Sequence, residues 1–288
     1  MNDINKMINE DFPHVNGVLI MQNNKVLLSE SYNSFQDKDL HKVGCIFKSF
    51  ISALVGIAMK ENLIVSLDQK LTDFFLDELP DEADDKFFHL KLQHILTNTS
   101  GIQWPAPHEK LPDDIQALFK LPINNEPGTI FEYKPDPHIM IFLIEKLTNK
   151  DFIDYANEKL MEPLGINKYI WEKCYIEDLK ISMDDLIKLG ILYLNKGKWK
   201  EDTLFSENYY WESIRPQVTG GFPEKTDYGY YWWVDKYKNV DFYYASGFGG
   251  QLLCVIPELN VTAVIVSRMD RPHLENKFII RNIIELLY

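Results

Sequence analysis

The sequence predicts an α+β fold in which strands from both ends of the chain form one antiparallel sheet, with a helical region inserted between them. Three observations lead to this fold class. Strand-like segments occur near the N-terminus and again towards the C-terminus, and the segments between them carry the 3.6-residue periodicity of helices. Seven prolines fall between Pro105 and Pro137, which breaks the middle into short helices and loops. Strands grouped at the ends favour α+β over an alternating α/β order.

The N-terminal part predicts a hairpin and a central helix. Residues 17–21 and 25–29 are apolar runs on either side of Asn23-Asn24, which is typical of a β-hairpin with a tight turn. Residues 48–62 combine large apolar side chains with small ones. This pattern predicts a helix that is buried on most sides.

The middle of the chain predicts shorter elements. The acid-rich stretch 77–86 indicates a loop, and a short helix at 91–97 ends at Asn98-Thr-Ser-Gly101. Helical periodicity returns at 139–147, 152–160 and 183–194.

The C-terminal part returns to strands and closes with a helix. The Pro257-Glu-Leu-Asn260 segment is a turn signal between the last two strands. The predicted strands are 230–235, 242–245, 251–256 and 261–267, and the final helix is 274–287.

Composition excludes several partners. The formal net charge is -13, from 43 acidic and 30 basic residues, so no basic stripe is available for nucleic acid or an anionic membrane. No apolar stretch approaches the roughly 20 residues that span a bilayer. Residues 1–12 lack the basic start and apolar run of a secretory signal. We therefore expect a cytoplasmic protein; its oligomeric state is left open.

The cysteine and histidine patterns predict neither disulfides nor metal. Cys45, Cys174 and Cys254 are odd in number and far apart, and the chain has no CxxC pair. The seven histidines show no HExxH spacing. No metal or other cofactor is expected.

One short segment carries candidate chemistry. Gly44-Cys-Ile-Phe-Lys48 opens the central helix, and the three-residue spacing places Cys45 and Lys48 on one face. A helix N-terminus and an ammonium group both favour an anion, so the thiol should ionise more readily than an ordinary one. Taken alone, the pattern is more often a buried structural cysteine.

Its context resembles a known superfamily. Residues 43–58 are similar to the Ser-x-x-Lys helix of the serine β-lactamases and penicillin-binding proteins, with cysteine in place of serine. Leu92-Gln-His-Ile-Leu-Thr-Asn-Thr-Ser-Gly101 and Pro127-Gly-Thr-Ile-Phe-Glu-Tyr133 resemble its next two motifs. Asp227-Tyr-Gly-Tyr-Tyr-Trp-Trp-Val234 and Tyr244-Ala-Ser-Gly-Phe-Gly-Gly-Gln251 resemble the branch of class C β-lactamases, esterases and 6-aminohexanoate-dimer hydrolase.

The resemblance implies a β-lactamase/transpeptidase-like fold in a single domain of residues 1–288. Its α/β part would comprise about residues 1–70 and 200–288, and its helical part about residues 70–200. The motifs occur in the expected order over nearly the whole chain.

The resemblance also implies catalytic roles. Cys45 would be the nucleophile, Lys48 its proton partner and Tyr133 a second general acid or base. The backbone N–H groups of Cys45 and Phe248 would form the oxyanion hole.

Substrate contacts are expected from Ser246, Gly247, Trp104 and Asp136. Trp104, Trp232 and Trp233 fit cleft walls and core packing equally well. Two positions depart from the superfamily pattern. Ala245 replaces a cation, which speaks against a β-lactam carboxylate, and Pro135 replaces an amide that Asp136 or Lys134 would have to substitute.

Three hypotheses follow from these residues. The first is a hydrolase or acyltransferase that acts on a small-molecule or short-peptide amide, ester or thioester through an acyl-thioester on Cys45. The second is a serine-type hydrolase in which Cys45 was introduced. The third is a binding protein of the same fold without catalysis, for which Pro135 and Ala245 are the best support.

Overall fold

The computed structural model describes residues 2–36, 39–106, 109–172, 179–269 and 276–288. The N-terminal part contains α1 (Asn2–Asp11), β1 (Val15–Gln22), β2 (Lys25–Ser31), β3 (His41–Lys42), a 3₁₀ turn (Gly44–Ile46) and α2 (Phe47–Lys60). The predicted hairpin turn is confirmed, since Asn23 and Asn24 have positive φ angles of 52° and 60° that asparagine tolerates well. Every side chain from Phe47 to Ala58 is buried, which confirms the predicted central helix.

The middle of the chain is mainly helical. Its α-helices are α3 (Thr72–Phe75), α4 (Leu92–Leu96), α5 (Ile115–Phe119), α6 (Pro137–Thr148), α7 (Phe152–Ala156) and α8 (Glu162–Leu164). The helix predicted over 152–160 instead changes to a π turn at Asn157–Met161. Two short strands, β4 (Tyr169–Ile170) and β5 (Lys180–Ile181), pair with β3 in a small sheet of order β3-β5-β4.

The C-terminal part contains one long helix, most of the large sheet and a closing helix. Its elements are α9 (Met183–Leu194), β6 (Lys198–Trp199), β7 (Asp202–Thr203), α10 (Glu207–Ile214), β8 (Asp227–Tyr228), β9 (Trp233–Tyr237), β10 (Val240–Gly247), β11 (Gln251–Ile256), β12 (Val261–Ser267) and α11 (Asn276–Leu287). The strand predicted at 230–235 begins only at Trp233, because Gly229 N–H donates to the carbonyl of Trp232 and closes a turn there. Leu274, the predicted first residue of the last helix, lies outside the described residues.

A seven-stranded sheet joins the two ends of the chain. Its strand order is β2-β1-β12-β11-β10-β9-β8, and each neighbouring pair is antiparallel. The pairing of β1 with β12 brings the N-terminal hairpin beside the last strand. The predicted α+β class, with a terminal antiparallel sheet and inserted helices, is confirmed.

Helices cover both faces of this sheet. A Cβ atom at Gly190 of α9 would meet Leu253 and Thr262, so α9 packs closely on the face that carries these residues. Successive strand residues point to opposite faces, and Ser246 pairs with Leu252, the neighbour of Leu253. Ser246 therefore lies on the other face, where Asn276 of α11 donates to its Oγ at 3.2 Å.

Candidate active site

The 3₁₀ turn Gly44–Ile46 holds Cys45 against the end of strand β10. Gly44 has a φ of 52°, and a Cβ atom there would lie 2.9 Å from the backbone nitrogen of Phe248. Glycine is therefore required by both conformation and space. A Cβ atom at Gly247 would lie 1.9 Å from the carbonyl oxygen of Val43. This close packing leaves Cys45, which is half-buried, next to the residue whose N–H was predicted to complete an oxyanion hole.

Lys48 lies one turn further along, at the start of α2, and is buried. Its Nζ donates to the carbonyl of Lys134 at 2.7 Å. The same Nζ is 4.0 Å from the centroid of the Tyr133 ring, a distance at which an ammonium group is attracted by the π face. The lysine thus links the central helix to the segment that carries Tyr133.

Tyr133 completes the group. Its hydroxyl lies within hydrogen-bonding reach of the Cys45 side chain, and its ring packs 5.3 Å from Trp233 and 6.1 Å from Tyr228, centroid to centroid. Burial, followed by the charge of a Cys45 thiolate, raises the pKa of Tyr133 well above its ordinary value. Tyr133 is therefore a protonated phenol that can donate to a neighbouring anion.

A polar network lies beneath this group. The carbonyl of Lys134 accepts from Asn98 Nδ2 at 3.0 Å as well as from Lys48. Asp136 Oδ1 accepts from Ser100 Oγ at 2.9 Å and from Trp104 Nε1 at 2.7 Å. Burial raises the pKa of Asp136 to about 6, although these donors and the charge of Lys48 oppose the shift.

A second carboxylate lies on the sheet side of the site. Glu224 Oε1 accepts from Ser246 Oγ at 2.7 Å, and its Oε2 accepts from the hydroxyl of Tyr244 at 3.1 Å. Burial raises the pKa of Glu224. The charge of Glu224 contributes to the raised pKa of Tyr133, which places this carboxylate within electrostatic reach of the candidate proton donor.

The predicted residues thus divide into two groups. Cys45, Lys48 and Tyr133 come together, with the backbone of Phe248 beside them, and the Phe248 side chain is 59% exposed. The four residues predicted to contact substrate have contacts within the protein, and their role towards substrate stays a prediction. Trp104 and Asp136 bond to each other, Ser246 donates to Glu224, and Gly247 packs on Val43.

Sequence reasoning did not assign roles to Asn98, Tyr228 or Glu224. Asn98 and Tyr228 lie inside the motifs Leu92–Gly101 and Asp227–Val234, and these motifs are the signal that points to them. Glu224 lies in the Gly221-Phe-Pro-Glu224 segment between motifs, where no pattern distinguishes it from a surface glutamate.

The described residues were also compared with the requirements of a metal site and of a membrane-spanning helix. Among the described residues, no group of three or more His, Cys, Asp or Glu side chains is placed to hold a metal ion. None of the helices in those same ranges is long and apolar enough to cross a membrane.

A cleft of about 560 Å³ lies along the outer strands, lined by residues that include Trp211, Arg215 and Asp241. Cys45, Lys48, Tyr133, Asp136 and Glu224 do not line this cleft, so it is separate from the candidate site.

Comparison with known proteins identifies the family. The family described as Beta-lactamase matches residues 12–173, more than half of the chain, and this range includes Cys45, Lys48 and Tyr133. The chain belongs to the β-lactamase family. The superfamily predicted from the motifs is confirmed at this level.

Individual relatives are distant. The chain is 26% identical to lovastatin esterase of Penicillium rubens over 131 residues, which is 40% of this chain and 32% of the esterase. The match thus spans about a third of that relative's length. The fold is similar to a class C β-lactamase carrying a Tyr-to-Phe substitution (TM-score 0.81, 13% identity, 99% of this chain and 97% of that one). It is also similar to EstCE1, a hydrolase with promiscuous acyltransferase activity (TM-score 0.76, 12% identity, 98% and 96%).

Proposed function

We propose that the protein is a hydrolase or acyltransferase that forms an acyl-thioester on Cys45 from an amide, peptide, ester or thioester. The observation that supports this most is the convergence of three side chains. Tyr133 is within hydrogen-bonding reach of Cys45, and the Lys48 ammonium lies 4.0 Å over the same tyrosine ring. A nucleophile beside a proton carrier that is itself held in place is the arrangement that covalent acyl transfer requires.

Acylation begins with attack of the Cys45 thiolate on the substrate carbonyl. The C–S bond forms as the carbonyl oxygen becomes an oxyanion, which the N–H groups of Cys45 and Phe248 stabilise. Tyr133 then gives its proton to the leaving nitrogen or oxygen as the scissile bond breaks. The raised pKa of Tyr133 suits this role, because a phenol that stays protonated at neutral pH is available as an acid.

Deacylation reverses the proton transfer. The tyrosinate left by the first step takes a proton from water, an amine or a thiol, which attacks the thioester carbonyl, and Cys45 leaves as a thiolate. Thioesters react with amines and thiols as well as with water. Water as acceptor gives hydrolysis, and an amine or thiol gives transfer.

Trapping of the intermediate tests the proposal. The protein is mixed with p-nitrophenyl esters, phenyl thioesters and p-nitroanilides, quenched in acid and measured by intact mass spectrometry. We expect one acyl group per chain, removed by neutral hydroxylamine as thioesters are. Cys45→Ala should carry no adduct, and Cys254→Ala should keep it.

The same assay separates the alternatives. If Cys45→Ser turns over much faster than the parent, serine is the better nucleophile in this site, as the introduced-cysteine hypothesis expects. Absence of any adduct and any turnover over the whole set would contradict the proposal and favour a binding protein.

Thiol labelling gives an independent test. Cys254 lies in the centre of β11, is fully buried, and burial raises its pKa. We expect iodoacetamide to label Cys45 at least about a thousandfold faster in the folded protein, since Cys254 reacts only after local unfolding. Cys174, also expected to react slowly, lies outside the described residues. Equal labelling of Cys45 and Cys254 would mean that Cys45 is not activated.

A further inference from the structure

Glu224 is a carboxylate that the proposed mechanism does not use. Glu224 is only 8% exposed. Each carboxylate oxygen accepts a hydrogen bond from a hydroxyl group, from Ser246 at 2.7 Å and from Tyr244 at 3.1 Å. Both donors lie on the same face of β10, because they are two positions apart along the strand. A carboxylate oriented by two donors has remaining lone pairs and a defined direction.

A second acidic residue, Asp235, and one lysine, Lys277, lie close to Glu224. Lys277 Nζ donates to the backbone carbonyl of Glu224 at 2.6 Å and lies 3.5 Å from the Asp235 carboxylate. One lysine therefore lies against two acidic residues, and the formal charges of Glu224, Asp235 and Lys277 sum to one negative unit. Position 245, where the superfamily pattern has a cation, is an alanine.

Aromatic rings lie between the Glu224 segment and Tyr133. A Cβ atom at Gly221 would lie 3.3 Å from the Phe131 ring, so the segment leading to Glu224 packs against that ring. Phe131 in turn lies 6.4 Å from Tyr133, centroid to centroid. Aromatic faces attract ammonium groups, as carboxylates do. A cation bound near Glu224 would therefore also have aromatic neighbours on the side of Tyr133.

We infer that Glu224 is a specificity-determining residue that selects acyl substrates with an ammonium group close to the scissile bond and disfavours those with a carboxylate there. The inference rests on the proposed acyl-thioester function. It identifies the substrate class as amino-acyl amides, esters or thioesters that keep a free amine.

Three matched probes test the inference. They are the phenyl thioesters of β-alanine, butyric acid and succinic acid, which place an ammonium, a methyl or a carboxylate group at similar reach. For the parent protein we expect kcat/KM to be about tenfold or more higher for the β-alanyl probe than for the butyryl probe, and lowest for the succinyl probe. This comparison needs no variant, so it decides the question even if a substitution prevents folding.

The charge is then removed by Glu224→Gln, which keeps the size and one acceptor. The β-alanyl preference should fall about tenfold, with kcat/KM for the butyryl probe little changed. Glu258→Gln makes the same change of charge at an exposed residue that lines the separate cleft, and should leave all three values as in the parent.

Each other outcome overturns the inference. A parent that prefers the succinyl probe, or shows no preference, contradicts an ammonium site. An equal loss for all three probes in Glu224→Gln would give Glu224 a purely structural role, and an unchanged preference would mean that another group selects the substrate. Failure of every probe to acylate Cys45 would instead reject the proposed function, and the specificity inference with it.

Discussion

The helical side and the sheet side of the site each contain a buried carboxylate, and the two are held differently. Asp136, at the start of α6, has two donors on Oδ1, whereas its Oδ2 is buried without a hydrogen-bond partner in the described part of the chain. Glu224 has a donor on each oxygen. Burial raises the pKa of both groups.

The difference shows that burial alone does not decide what a carboxylate can do. An oxygen without a donor makes the ionised form costly, so Asp136 is suited to change its charge close to neutral pH. Glu224 is suited to keep its position and present a fixed orientation. Tyr133 and Lys48 connect the two regions, and substitutions at all of these residues can separate their roles.

The largest effect should come from Tyr133, which lies within the electrostatic reach of Glu224 and beside Lys48. We expect Tyr133→Phe to lower kcat/KM for a p-nitroanilide by about 10²–10³, since the leaving amine must be protonated. A phenyl thioester needs no such proton and should lose much less. Tyr288→Phe at an exposed position serves as the control. Equal losses for the two substrate types would contradict the assignment of Tyr133 as a general acid.

The next effect concerns Asp136 and the pH dependence of stability. Its folded pKa of about 6 lies above the ordinary value of 3.8, so folding favours the protonated form. Its contribution to the free energy of unfolding is fully present below about pH 4 and is lost as pH rises through 6. The shift corresponds to about 3 kcal/mol.

Asp136→Asn should remove this pH dependence while keeping an acceptor for Ser100 and Trp104. Denaturant unfolding measured from pH 4 to about pH 7 compares the variant with the parent. Asp154→Asn changes an exposed carboxylate on the neighbouring helix α7 and should follow the parent curve. A parent-like pH profile in Asp136→Asn would show that Asp136 is not the titrating group.

A smaller effect is expected at Lys48. Lys48→Met removes the ammonium group and keeps much of the side-chain volume, so the rate of Cys45 alkylation at pH 7 should fall about tenfold and recover as pH rises. Lys60→Met removes an exposed ammonium at the other end of α2 and should leave the rate unchanged. If the Lys48→Met rate matched the parent at every pH, the lysine would have no part in forming the thiolate.

The smallest effect is expected at Ser246. Ser246→Ala removes one of the two donors to Glu224 and the hydroxyl that accepts from Asn276. We expect a loss of about 1 kcal/mol in the free energy of unfolding and a few-fold weaker preference for the ammonium probe. A change in stability without any change in preference would separate Ser246 from substrate selection.

Local patterns predicted the elements whose ends are marked in the sequence. The strands Gln251–Ile256 and Val261–Ser267 and the helix Met183–Leu194 have the predicted limits, because turn residues or a change of periodicity stand at their ends. The strand expected from Tyr230 begins late, since tertiary contacts bend the chain there. Tyr231 N–H donates to the carbonyl of Leu96 and its φ is positive.

In the candidate site, too, local contacts could be predicted from the sequence and long-range contacts could not. Cys45 and Lys48 are three residues apart, in the 3₁₀ turn and the first turn of α2 that follows it, so a local pattern was enough to predict that they lie close together. Contacts between segments that are distant in the sequence are not indicated by any local pattern. Lys134, for example, uses its backbone carbonyl to bind Lys48 and Asn98, and a backbone group carries no information in the sequence. The pairing of Ser246 with Glu224 arises in the same way from the folded topology.

The pairing of β1 with β12 has a consequence for the order of events during synthesis. Val15 pairs with Ser267, so two adjacent strands of the sheet come from residues roughly 250 positions apart, and contacts of such long range form slowly. The Gly44–Ile46 turn rests on β10, which is also made late. A nascent chain therefore carries Cys45 for most of its translation without the strand edge that orients it. We expect acylation of ribosome-bound chains to begin only after β12 has left the exit tunnel, which would keep an immature chain from reacting with substrate.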